Sequence, residues 1–257
     1  MTTQNPLGIT WSAPAVTRAT QTARTALRTA TTLILVGIVA EYVVTDFHPA
    51  HEAPNDHHAV FAEYAASDSW MGVHLGQFAA STLIVVGILG LFGALRPAGG
   101  STLLTRAGEA AAVLTASVLA MLQAVDGVAL KHAVDSLAAA PAALHDAAFH
   151  DAEIVRWMEW AMAGYYRIAF GLTAVLIGVA VARARTLPRW TAAPALLSGV
   201  AFVADGVNVT YQGFVGANPA NLISLASFVL FAVAATVAAW WPRAGRSGGM
   251  GMAVDTP

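Results

Sequence analysis

Cysteine is absent from the chain, which excludes disulfides, thiolate metal sites, iron–sulfur clusters and cysteine nucleophiles. It leaves His, Asp, Glu and backbone groups as the available metal ligands. Charge is scarce as well: 11% of residues are charged, against about 25% in an ordinary soluble domain. The net charge of -2 and pI near 6.4 supply no basic field, so nucleic acid is not expected as a partner. In place of charge stands apolar surface, with 57% of residues hydrophobic and a mean hydropathy of +0.61. That is the composition of a chain whose principal partner is the lipid bilayer.

About 20 mostly apolar residues are needed to cross the hydrocarbon core. Six segments qualify: about Ala26 to Thr45, Trp70 to Leu95, about Leu104 to Leu130, about Val155 to Ala182, Trp190 to Val209, and about Asn221 to Trp241. Turn residues separate them at Arg96-Pro97, Leu187-Pro188 and Gly216 through Pro219. The first run carries Glu41 and no small-residue cleavage site follows it, so it is expected to be a retained helix and not a signal peptide. The expected fold is all-α: one transmembrane domain over 26–242, a tail over 1–25 and a second tail over 243–257. Two longer loops, about 46–69 and 131–154, are expected to hold short helices around Ala59 to Ala66 and Ala142 to Phe149. Trp70, Trp157 and Trp160 at one end, and Trp190, Trp240 and Trp241 at the other, fit interfacial aromatic belts.

Basic residues favour the cytoplasmic side of a membrane. Arg18, Arg24 and Arg28 precede the first span, Arg96 and Arg106 follow the second, Arg183, Arg185 and Arg189 follow the fourth, and Arg243 and Arg246 follow the sixth. With an even number of spans all of these fall on one side. The expectation is therefore a plasma-membrane (cell inner membrane) protein with both termini in the cytoplasm, whose long loops face outward. All 8 histidines then lie on the outer side: His48, His51, His57, His58, His74, His132, His145 and His150.

Ionisable residues inside spans are the stronger signal, because a charge at a helix centre costs at least roughly 2.5–3.5 kcal/mol. Glu41, His74, Asp126, Glu159, Arg167 and Asp205 are so placed, joined by Gln77, Gln123 and Asn208. At 1.5 Å per residue all but Arg167 sit within about 10 Å of the outer boundary, so five helices are expected to line one outward-opening polar pocket. Helical spacing groups Glu41 with Thr45 and His48, His74 with Gln77, Gln123 with Asp126, and Asp205 with Asn208 and Gln212. Asp146, His150 and Glu153 would align if their stretch is helical. Arg167, the deepest charge, needs a carboxylate, a carbonyl or an anionic ligand, and Glu41 and Asp126 are the candidate partners. No spacing here is a diagnostic metal motif. A His-rich outer loop can also be no more than a solvated surface.

The stretch Leu104-Thr-Arg-Ala-Gly-Glu109, and the stretches Arg167-Ile-Ala-Phe-Gly-Leu, Arg185-Thr-Leu-Pro188-Arg-Trp190 and Leu197-Ser-Gly199, resemble a family of uncharacterised six-helix bacterial membrane proteins carrying a domain of unknown function. The resemblance implies the six-helix layout and no activity, and the His-rich loops are not part of that family's pattern.

Three functions fit this placement, and whether the chain is an enzyme stays open. In the first, a metal-dependent membrane enzyme acts on an amphiphilic small molecule. His48, His74, Asp126, His132, His150 and Asp205 would hold Zn, Cu or Fe, Glu41 or Glu159 would act as general base, and Arg167 would meet the substrate's polar group. In the second, an ion- or proton-coupled transporter uses the same carboxylates, although the inner halves of the spans are almost wholly apolar. The third is a non-catalytic pH-responsive membrane subunit, since histidines titrate near neutrality.

Overall fold

The computed structural model describes residues 13–96, 102–184, 186–214 and 218–241, with side chains described from residue 21 onward and, after the first gap, from residue 103. All secondary structure among the described residues is helical. The long elements are α1 (Ala13–Thr45), α3 (Trp70–Leu95), α4 (Thr102–Ala124), α6 (His145–Ala184), α7 (Ala192–Gln212) and α8 (Pro219–Trp240). Two short helices, α2 (His57–Ala65) and α5 (Lys131–Ala138), lie at one end, and a π-helical turn, Val125–Leu130, joins α4 to α5. Six of the helical segments are long and apolar enough to cross a membrane.

Where the described residues test the expected boundaries, the differences are informative. The second span begins and ends where the sequence places it. The first is longer, because α1 extends back to Ala13. The third does not stop at Leu130: it runs through the π turn into α5, and the helical segment ends at Ala138. The second expected loop helix is no separate element, since Ala142–Leu144 is a single 3-10 turn that leads directly into α6. The turn residues Pro97, Arg185 and Gly216, the basic residues Arg243 and Arg246, and most of both tails lie outside the described residues, as does the side chain of Arg18.

Local chemistry explains several ends. Asp56 caps α2 by accepting from the Ala59 N–H at 3.2 Å. At its other end Lys131 donates to the Tyr64 and Ala65 carbonyls at 3.2 and 2.9 Å, a cation on the negative pole of a short helix. Asn218 caps α8 with Pro219 in its first turn. Gly213 ends α7 with φ +71°, and a Cβ there would also strike the Trp160 ring at 2.6 Å.

Small residues let the spans approach closely, as is usual where lipid removes the hydrophobic drive between helices. Gly164, Gly171 and Gly178 recur every seven residues on α6, facing α7 at Gly199 and Gly206. A Cβ on Gly171 would lie 2.6 Å from the Gly199 carbonyl oxygen, which is backbone and cannot swing aside. We expect Gly171→Leu to lower stability in detergent by about 1–3 kcal/mol or more, the cost of overpacking. Gly72→Leu should be nearly neutral, because nothing lies within 4 Å of a Cβ there. Equal melting temperatures for the two variants would refute this packing.

The main core is aliphatic and aromatic, with Ile88, Leu91, Phe92, Ile177 and Phe231 fully buried. A second cluster sits under the short helices, where Val60, Phe61, Tyr64, Leu130, Val134 and Leu137 close around Trp70. At this end the segment 46–56 and α2 lie over the mouths of the long helices.

Candidate functional site

Beneath that cap is a cavity of about 600 Å³. Its upper wall is polar: Glu41 and Thr45 from α1, His48 from the following loop, Gln77 and Ser81 from α3, Gln123 and Asp126 from the α4–π junction, and Arg156, Glu159 and Arg167 from α6. Its floor is apolar, made chiefly by Leu119, Leu122, Phe170, Phe202 and Phe228. Tyr42, Leu225 and Val229 line the cavity and are also exposed on the outside of the bundle, so the cavity opens between α1 and α8.

Three ion pairs build the walls. Arg156 is buried and its Nη1 lies 2.5 Å from Glu159 Oε2, while its Nη2 donates to the Pro54 carbonyl at 3.1 Å. Its guanidinium lies 4.9 Å from the Phe214 ring centre, a cation–π contact. Arg167 Nε donates to Asp205 Oδ2 at 2.9 Å, and Nη1 donates to the Ala163 carbonyl at 3.2 Å. Asp205 also accepts from Asn218 at 2.6 Å, which ties α6 and α7 to the start of α8. The partner of Arg167 is therefore Asp205, and not Glu41 or Asp126 as helical spacing allowed; depth along a helix says little about azimuth.

The third pair is His74 with Asp126. His74 Nδ1 lies 2.8 Å from the Trp70 carbonyl, which can only accept, so Nδ1 carries a hydrogen. Its Nε2 lies 3.1 Å from Asp126 Oδ2. Two lone pairs at that distance would repel, so a proton is held between imidazole and carboxyl even though the contact is poorly aligned as a hydrogen bond. The π turn sets Asp126 here, and Gly127 beside it gives room for the His74 side chain: a Cβ there would come 2.5 Å from His74 Cβ. Such π turns recur at functional sites.

Trp70 is not a belt residue. It is fully buried, donates to the Asp126 carbonyl at 3.0 Å and packs against Tyr64, His74 and His48 with ring centres 4.1, 4.5 and 4.9 Å away. Trp157, Trp190, Trp240 and Trp241 are exposed as expected.

His48 Nδ1 lies 2.7 Å from the Pro49 carbonyl, leaving Nε2 as an acceptor. Burial pushes the His48 imidazole below its ordinary value, aided by His74 and Arg156 and opposed by Asp126 and the Pro49 carbonyl. An unfolded chain would then take up this proton first, so the folded state loses stability as pH falls from about 6.5 through the lowered value. A His48→Gln variant should lack that component. The check is melting temperature from pH 7.5 to 5, where the gap between wild type and variant should change sharply near the histidine range.

The expected metal set does not assemble. Among the described residues no three His, Asp or Glu side chains are grouped to hold a metal ion. His48, His74 and Asp126 are neighbours, but His132 and His150 are exposed on the cap and Asp205 is engaged with Arg167. His150 instead shares Glu153 with His57, at 3.2 and 3.0 Å, which fastens α2 to α6. His51 bonds Glu63 at 2.7 Å, and His58 stacks on Phe149 at 4.2 Å. These are bonds of the cap.

Among the described residues Glu41 is bonded only by Ser81, whose hydroxyl donates at 2.9 Å. Sequence reasoning did not single out Arg156, Ser81, Tyr64 or Phe214 as parts of the site. Arg156 could have been found from its spacing, three residues before Glu159 on one helical face. Phe214 follows the glycine that ends α7, and no local pattern marks it.

Fold and cavity together define a multi-pass helical membrane protein with a polar-walled, apolar-floored cavity at one end. No family model, curated protein or solved structure matches the chain.

Proposed function

We propose that the chain resides in the plasma membrane with both termini in the cytoplasm, and that its His/carboxylate cavity faces outward and takes up an amphiphilic small molecule from the outer leaflet. The observation that carries this reading is the cavity itself: polar groups above, aromatic rings below, and an opening between α1 and α8 toward lipid. Ligand pockets commonly combine an apolar lining with a few placed polar groups. The orientation is supported by Arg24, Arg28, Arg96, Arg106, Arg183 and Arg189, which all stand at the end opposite the histidines. The stretches around Leu104 and Arg167 support a place among uncharacterised six-helix bacterial membrane proteins.

Chemistry in this cavity would run on protons. His74–Asp126 holds one, His48 Nε2 can accept one, and among the described residues Glu41 is the span carboxylate without an ion-pair partner. Glu159 is bound to Arg156, so Glu41 is the better general base. A proton-coupled carrier would use the same groups, but it needs a path past the floor, and below Phe170, Phe202 and Phe228 the core is mainly Leu, Ile, Phe and Ala. The His57–Glu153 and His51–Glu63 bonds favour a pH-responsive cap as a property of the same site.

Photo-crosslinking decides. A diazirine-bearing alkyl amphiphile added to protein in nanodiscs should label α1 and α8 peptides around Tyr42 and Leu225, and unlabelled amphiphile should compete. Uniform labelling of all six spans would mean ordinary lipid contact and would remove the reading. Because the chain has 0 cysteines, a single cysteine at Glu52 reports orientation without background: it should react with impermeant maleimide from outside intact cells.

A further inference from the structure

We propose that the head group the cavity selects is a protonated amine, making the ligand class a cationic amphiphile; this deepens, and rests on, the reading of the cavity as an amphiphile site.

The charges of both guanidinium groups of the wall are already matched, Arg156 by Glu159 and Arg167 by Asp205, with the Pro54 and Ala163 carbonyls as further acceptors. Asp126 has His74. Among the described residues Glu41 faces the same cavity with no ion-pair partner, and only the Ser81 hydroxyl bonds one of its two oxygens. At the rim Glu52 and Glu63 add further negative charge. An anionic head would therefore meet a surplus of carboxylate, whereas an ammonium group would complete the one span carboxylate left without a cation.

Hydrogen-bond demand gives the same answer independently. Asp126 Oδ1 and Gln123 Oε1 are buried acceptor atoms with no partner, Arg156 Nε is a buried donor with none, and all three residues line the cavity. His48 Nε2 is a third acceptor, because Nδ1 is used on the Pro49 carbonyl. An ammonium group brings three donors and no acceptor, the complement of these three acceptors, which outnumber the one unpartnered guanidinium donor, Arg156 Nε. Buried polar atoms left unpaired are costly, so a ligand or water that satisfies them is favoured. The aromatic floor below suits an alkyl or aryl tail, and its rings attract a nearby cation.

The test compares three probes of one chain length, decylamine, decanol and decanoate, titrated into the full chain in zwitterionic nanodiscs. Quenching of tryptophan fluorescence reads binding, with empty nanodiscs as blank. Decylamine should bind at least tenfold more tightly than decanol or decanoate. Glu41→Gln should reduce it to the level of decanol while leaving decanol unchanged, and Glu41→Asp should restore part of the preference. If Glu41→Gln fails to fold, Gln123→Leu carries the comparison, since it removes an acceptor without touching charge and should weaken decylamine severalfold and decanol not at all. Equal or tighter binding of decanoate would overturn the amine assignment while leaving the amphiphile site standing. Failure of all three to bind would overturn both.

Discussion

Arg156→Ala should be among the most damaging single substitutions in the protein, lowering stability by about 3–5 kcal/mol, the usual cost of breaking a buried ion pair from one side. The reason is what stays behind. Glu159 is 3% exposed and would keep a carboxylate in the bundle with no counter-charge. The Pro54 carbonyl would lose its donor and the Phe214 ring its cation, so the segment 46–56 would lose its anchor to α6. The double variant Arg156→Met, Glu159→Leu should recover much of the loss, since apolar replacements of a buried pair are often neutral or stabilising. Thermal unfolding of the three proteins in detergent, followed by circular dichroism, checks this. A single variant as stable as wild type, or a double variant no better than the single, would show that the pair is not what holds this corner.

Asp205→Leu is expected to cost on the order of 2–3 kcal/mol, the range for losing hydrogen bonds to a charged group. The penalty is smaller because the Arg167 side chain is 21% exposed, through the cavity it lines, and its freed charge can be partly solvated. One other tie fails with it, since Asn218 loses its acceptor, loosening the start of α8, and an unmatched guanidinium is released beside the cavity. The variant should therefore also bind decylamine severalfold more weakly than wild type, by like-charge repulsion. A stability loss without any change in amine binding would place the Arg167–Asp205 pair outside the ligand's reach.

The spans were legible because the requirement for about 20 apolar residues is local and the punctuation is plain. Trp70 to Leu95 needed nothing beyond its own composition. The polar members of the cavity were legible for a related reason: an ionisable residue in a span stands out, and Glu41, Asp126, Glu159 and Arg167 all line the one cavity. Pairings were not legible. Trp70 has the position of a belt tryptophan, yet it is buried because α2 and α5 fold over it. Arg156 sits where an interfacial arginine would, yet Pro54, 102 residues away in sequence, accepts its hydrogen bond.

By itself the sequence determined the helical class, the number of spans and the separation of most basic residues, Lys131, Arg156 and Arg167 excepted, from the histidines, each a property that periodicity and composition carry along the chain. Only the tertiary structure decided that Asp205 and not Glu41 answers Arg167, that the histidines of the loops bond carboxylates of the cap, and that Glu41 is left without a cation. Those outcomes depend on how each helix is rotated about its axis relative to its neighbours and on what folds over its end; spacing along a single helix groups residues on one face but does not say which neighbour that face meets.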